Sequence, residues 1–268
     1  LDDIVNKQDL VKEKFNWEVP VEAVPIPSEG KVYPEGSPLF GKKLLEIKAM
    51  TAQEEDILSS QALIKQGTVI THLLKSCLID KSINVDDMLI GDRNALMISV
   101  RITGYGADYP VTTTCKSCAK QSNQTFNLGE MEIKRLKVKP VQEGMNIFEF
   151  KLPVTGKVVH LRFLTGRDEI ERSVVLDRMK KLTGGQGVEK NVTSRLESHI
   201  VSIDGIEDKN SIRQFVSKMP AMDSRSIRSF LSENEPGIDM SGWIECPHCS
   251  YSGRVALPIG ANFFWPSS

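Results

Sequence analysis

No stretch of this sequence reaches the roughly 18 consecutive apolar residues that a membrane-crossing helix needs. Its first residues, Leu1-Asp2-Asp3, are acidic where an export signal is basic. A dominant charge is missing too. The 34 Lys and Arg against 35 Asp and Glu leave a formal net charge of −1, which argues against the basic footprint of a nucleic-acid-binding protein. Basic clusters at 134–139 and 178–181 read as solvated faces. Histidine is scarce, and His72, His160 and His199 have no second ligand type three or four residues on. No serine lies in a G-x-S-x-G turn, and the lone Gly104-Tyr105-Gly106 lacks the strand and helix that would make it a phosphate loop. The pairs Glu54-Glu55 and Asp86-Asp87 fit helix starts, where negative charge meets the positive end of the dipole. Without a catalytic constellation, the chain reads as a protein that is not an enzyme.

Cysteine is also sparse, and its placement is the most informative feature. Five cysteines in 268 residues are too few, and odd in number, for a disulfide framework. Four of them form two C-x-x-C pairs, Cys115-Lys-Ser-Cys118 and Cys246-Pro-His-Cys249. Two thiolate pairs on tight turns are what a closed tetrahedral zinc site takes, with no position left for substrate. β-favouring residues flank both pairs: Val111-Thr112-Thr113-Thr114 and Gln124-Thr125-Phe126-Asn127-Leu128 around the first, Trp243-Ile244-Glu245 and Arg254-Val255-Ala256-Leu257 around the second. Gly253 is placed to supply a left-handed turn residue. Each pair therefore predicts a hairpin knuckle, and together they predict a split zinc ribbon. It would hold one structural Zn²⁺ per chain through Cys115, Cys118, Cys246 and Cys249. His248 is expected beside the metal, not on it. Cys-Pro-His-Cys also occurs in thioredoxin-class thiol oxidases, but the 19 residues after Cys249 cannot build that fold. Cys77, in an apolar helical stretch, reads as a buried structural thiol. Reduced thiols and the acidic N-terminus point to the cytoplasm.

Along the chain, residues 1–43 predict an extended proline-rich arm that either wraps another surface or runs over its own domain, with Pro20, Pro25, Pro27, Pro34 and Pro38 each lacking a backbone donor. Residues 44–110 predict a mainly helical region: a strand at 44–50, a capping box at Thr51-Ala52-Gln53-Glu54, a break at Gly67, a second amphipathic helix through Leu73, Leu74 and Cys77, and a third over 92 to about 103. Residues 111–130 and 241–268 make the ribbon and its tail. Between them, 131–240 predict an inserted α+β region, with paired strands at 146–152 and 158–163 and a helix from 165 to about 182. A flexible loop follows at 184–187, then helices at 210–218 and 223–231, with Asp223 as an N-cap. The fold class is α+β. The tail places Phe263-Phe264-Trp265 together in a chain only 6% aromatic, either folded back on the ribbon or anchoring a partner. Phe263, Phe264 and Trp265 are accordingly candidate partner contacts.

Taken in order, Pro27-Ser28-Glu29-Gly30 with Tyr33, the segment from Lys48 to Asp56, Gly91-Asp92-Arg93, Gly104-Tyr105-Gly106 with Tyr109, the two knuckles and Phe263-Phe264-Trp265-Pro266 resemble the T4-type baseplate hub proteins of contractile-tailed bacteriophages. The resemblance covers residues 25–130 and the two ends of the remainder. It implies a non-enzymatic virion component in the tail baseplate, made and assembled in the host cytoplasm, as a hub subunit or a transient hub assembly factor. Its partners would be other tail and baseplate proteins (tube, spike, hub or wedge subunits) in a symmetric multi-copy assembly, with no membrane and no nucleic acid among them. A zinc-ribbon module that binds nucleic acid or a transcription complex is the alternative reading of the cysteines.

Overall fold

The computed structural model of the protein describes residues 12, 14–183, 191–259, 263 and 264. Residues 1–11, the loop expected at 184–187, and Trp265 lie outside them. The described residues form a mixed α+β fold of eight α-helices and five small antiparallel sheets. In chain order they are β1 (Val21–Pro25), β2 (Leu44–Lys48), α1 (Ala52–Ser59), α2 (Gln61–Gln66), α3 (Val69–Cys77), α4 (Ile90–Tyr105), β3 (Asp108–Thr114), β4 (Gln121–Asn127), β5 (Ile133–Lys134) and β6 (Phe148–Lys151). Then come β7 (Val158–Leu161), α5 (Gly166–Thr183), α6 (Asn191–His199), β8 (Ile200–Ile203), α7 (Lys209–Lys218), α8 (Ala221–Asn234), β9 (Gly237–Ile238), β10 (Ser241–Glu245) and β11 (Ser252–Ala256).

From Val21 on, the proline-rich stretch runs over its own domain, held there by its apolar residues. β1 pairs with β2 from Val21↔Lys48 to Pro25↔Leu44, and the turns after it bury Ile26, Val32, Tyr33 and Leu39 in the core. Prolines remove donors from this stretch, but the side chains between them carry enough apolar area to hold it down. At Gly30 the backbone is left-handed, φ +71°, and a Cβ would lie 2.5 Å from the Leu39 carbonyl oxygen. In the helical region the single helix expected from the capping box to Gly67 is two, α1 and α2, parted at Ser60, whose backbone is extended. Gly67 ends α2 in the left-handed conformation, and Cys77 is fully buried. At the start of α1, Glu54 is also fully buried. Burial alone would raise its pKa. Lys48, at 2.8 Å, with Ser76 and Thr51 donating to it, instead lowers it to about 2.

Helix α4 is the axis of the fold, and it buries polar residues as well as apolar ones: Asp92, Arg93 and Arg101 are 5% exposed or less. Asp92 accepts hydrogen bonds from the Ser28 amide (2.8 Å), the Ser28 hydroxyl (2.5 Å) and the Tyr33 hydroxyl (2.7 Å). The Tyr33 oxygen in turn accepts from the Leu89 amide. Burial pushes the Asp92 carboxyl up against those donors, so losing one would leave a dehydrated acid with nowhere to turn. Residues 64 apart in sequence are thereby fixed to one another.

The insertion leaves and returns through a two-residue neck, Ile133↔Ile238 and Lys134↔Gly237. Beyond it, β6, β7 and β8 form one antiparallel sheet, and α5 to α8 complete the region. The third strand, β8, is absent from the sequence reading. Asp223 is not the N-cap of its helix. It lies in the first turn of α8, and its carboxylate accepts from the Val154 and Thr155 amides in the turn after β6. Apolar residues from the N-terminal region, the hairpins and the insertion belong to one buried cluster.

The neck packs on α4 at Gly91, where a Cβ would fall 1.7 Å from the Pro236 carbonyl oxygen. Gly91→Ala should therefore destabilise by about 3 kcal/mol or more, although alanine in a free helix would stabilise by about 1 kcal/mol. Gly36→Ala, whose added carbon would meet nothing within 4 Å, should be neutral. Urea midpoints measure both, and equal midpoints for the two variants would refute the close approach.

Candidate metal centre

Each cysteine pair sits at the end of a hairpin. β3 pairs with β4 from Asp108↔Asn127 to Thr114↔Gln121, and β10 with β11 from Ser241↔Ala256 to Glu245↔Ser252. The two turns are built alike. The Cys115 amide donates to the Lys120 carbonyl and the Cys246 amide to the Tyr251 carbonyl, both at 2.9 Å. The Ser117 and His248 amides donate to Cys115 Sγ and Cys246 Sγ, both at 3.4 Å. Two residues after each first cysteine, an N–H thus points at sulfur, a geometry that favours thiolate. The left-handed residue of the first turn is Ala119, φ 57°. Gly253, expected in that role, lies within β11.

The hairpins are separate two-stranded sheets with no strand pairing between them. They meet face to face where Gly242 leaves room for the Phe126 ring, 2.2 Å from where a Cβ would stand. Gln124 donates to the Glu245 carbonyl across the gap. This packing brings all four sulfurs together. Cys115 Sγ lies 3.7 Å from Cys249 Sγ, and Cys118 Sγ 3.7 Å from Cys246 Sγ. All four are within 4.8 Å of one another.

Four sulfurs at about 2.3 Å from a tetrahedral metal would be about 3.8 Å apart. The observed spacings fit that edge, so the set could hold a metal ion. The ionisation of the thiols agrees. Amide hydrogen bonds from Cys118 and Ser117, with neighbouring thiols, pull Cys115 down to about 6 against the opposing effect of burial. At Cys118 the Lys120 amide favours thiolate, but burial and the other three sulfurs outweigh it and push the thiol up to about 11. One negative charge is welcome in the cluster and further ones are not, until a cation joins them. His248 is exposed and contributes only its amide, as the spacing indicated. Cys115 and Cys246 are buried, while Cys118 and Cys249 are half-buried.

Of the two readings of the tail, Phe263 and Phe264 take the one that folds back. Phe263 and Phe264, candidate partner contacts, are 0% and 3% exposed. Phe263 packs edge-on against Tyr109 and Phe264, with centroids at 5.3 and 5.1 Å. Its carbonyl accepts from Arg101 Nε at 2.8 Å. The other guanidinium nitrogens donate to the Gly106 and Asp108 carbonyls at 2.7 and 3.1 Å, and the Tyr109 hydroxyl donates to the Pro258 carbonyl. Arg101 is fully buried without a carboxylate partner among the described residues. The sequence offered only a faint sign of this: a single charge in the apolar run from Met97 to Ile102.

The purified chain is expected to hold one metal ion, measured by plasma mass spectrometry, and Cys115→Ser or Cys249→Ser should lose both metal and solubility. A metal-free chain that keeps its near-ultraviolet dichroism would overturn the site. Phe263→Ala should cost about 3–5 kcal/mol of stability in chemical denaturation, where a tail reserved for partners would cost nearly nothing.

The family described as T4 bacteriophage base plate protein matches the chain over residues 37–265. No curated protein and no solved structure matches it.

Proposed function

The chain belongs to the T4 bacteriophage base plate protein family, and from that membership we propose that it acts as a structural subunit of the baseplate hub. The observation that carries the proposal is the family match across most of the chain. The role assigned is non-enzymatic: assembly of the tail beside other baseplate proteins, in repeated copies around the tail axis. The closed cysteine set supports a shape-holding role, since four protein ligands leave no open position for a substrate.

We assign the metal as zinc. A tetrahedral sulfur set suits zinc or iron, and a redox-inert ion is the better structural cross-link in a protein without disulfides among its described residues. Structural zinc contributes about 10–16 kcal/mol of apparent binding energy in small finger peptides. That is of the same order as the net stability of about 5–15 kcal/mol typical of a whole domain. Iron would announce itself by visible absorbance.

With Phe263 and Phe264 in the core, the large exposed aromatics among the described residues are Phe15, Trp17 and Trp243, and these join Trp265, outside the described residues, as candidate contacts for neighbours. Mass spectrometry of purified mature tails should detect the chain at a stoichiometry fixed relative to the other hub proteins. Its absence there, with presence in assembly intermediates, would instead make it a transient assembly factor. Binding to nucleic acid with a steep salt dependence would favour the zinc-ribbon alternative.

A further inference from the structure

A cavity of about 740 Å³ opens where the neck meets α4, α5, α6 and α8. Cations come to it from four separate elements: Lys134 of β5, Arg172 of α5, Arg195 of α6 and Arg228 of α8. Glu169 and Glu235 are the carboxylates that line it, and burial pushes Glu235 toward its neutral form. Arg195 and Lys134 act on Glu235 electrostatically without overcoming its burial, and none of the three arginines forms a close ion pair with a carboxylate among the described residues. The cavity therefore carries an excess of positive charge, on side chains whose planar donors suit carboxylates and phosphates.

Arginines at a rim are often only solvated, but the interior holds a second and independent feature. His199 is 1% exposed and lines the same cavity. Its Nδ1 lies 2.9 Å from the Arg162 carbonyl oxygen, which can only accept, so Nδ1 carries the proton and donates. Burial keeps the ring neutral, lowering its pKa to about 4. That leaves Nε2 as a bare acceptor, and it is buried with no partner among the described residues. An unmet acceptor of this kind calls for a donor from whatever fills the space. A phosphate monoester dianion has none to offer, whereas a polypeptide has one N–H per residue. The apolar side chains of Ile90, Leu196 and Leu231 likewise suit a chain with apolar residues among its acids.

We propose that this cavity docks an acidic peptide segment of a neighbouring baseplate protein, its carboxylates held by Arg172, Arg195 and Arg228 and one of its N–H groups meeting His199 Nε2. The source of the segment rests on the baseplate reading above; the chemistry of the cavity does not.

The test uses the full-length metal-loaded chain and an acetylated, amidated hexapeptide of alternating Glu, Leu and Asp, titrated by calorimetry. Its neutral Gln and Asn counterpart should bind at least tenfold more weakly. Arg195→Glu combined with Arg228→Glu, both at exposed positions, should weaken the acidic peptide at least tenfold with metal content and melting temperature unchanged. If the pair fails to fold, the single Arg195→Glu substitution is read instead, with a smaller loss in the same direction. Val192→Trp, at the exposed rim, should also weaken it. No binding, equal binding of the neutral peptide, or indifference to charge reversal overturns the proposal. So does inorganic phosphate displacing the peptide at matched concentration, which would make this a small-anion site. A chain found in mature tails that binds no peptide would sink the cavity and leave the baseplate role standing. Peptide binding by a chain absent from tails and their intermediates would do the reverse.

Discussion

Everything in this molecule hangs on bringing residues 115–118 and 246–249 to one point. The two knuckles are built by different stretches of chain and share no strand pairing, so their meeting is fixed by four sulfurs and by the packing of Phe126 against Gly242. Closing a loop of 128 residues costs roughly 4 kcal/mol of chain entropy beyond a constant. The neck at β5 and β9 gathers the two ends of the insertion before they reach the hairpins, which shortens the effective loop. Arg101 then ties the same junction to the tail through three backbone carbonyls. Metal, neck and guanidinium act on one joint, and the rest of the fold is arranged around it.

The sequence made the cysteine site legible because the chemistry is local: two residues between thiols set each turn, and the flanking β-formers set each hairpin. Long amphipathic helices were legible for the same reason. What escaped was whatever depended on distant partners. Prolines between 20 and 38 signal missing donors, yet the outcome was decided by Ile26, Val32, Tyr33 and Leu39, whose burial needs α4 to be present. Strand β8 is four residues directly after a helix, and the neck strands are two residues each, too short to leave a periodic signal. Asp223 sits where an N-cap could stand, but it serves a turn 68 residues earlier. The aromatic tail offered two readings, and composition could not choose between them. The choice required the hydrogen bond from Arg101 to the Phe263 carbonyl.

Several of the residues that carry the family resemblance are interior. Ser28, Tyr33 and Asp92 form one buried network, Gly30 and Gly91 permit close backbone approaches, and Phe263 and Phe264 close the core. Such residues report how the fold is maintained. Contacts with neighbours belong to the outer surface, where Trp243 stands 63% exposed beside the knuckles and where the arginine-lined cavity opens.

The order in which these pieces occur along the chain sets a clock. Translation delivers Arg101 and the first cysteine pair long before Cys246, Cys249 and Phe263, and at about 5–20 residues per second the interval is on the order of ten seconds. Throughout it the first hairpin holds two thiols without the second cysteine pair, and Arg101 of α4 lacks the Phe263 carbonyl that will complete its set. The nascent protein therefore exposes its most reactive side chains for as long as the insertion takes to emerge. Only when the last hairpin and tail arrive are these groups withdrawn from the solvent.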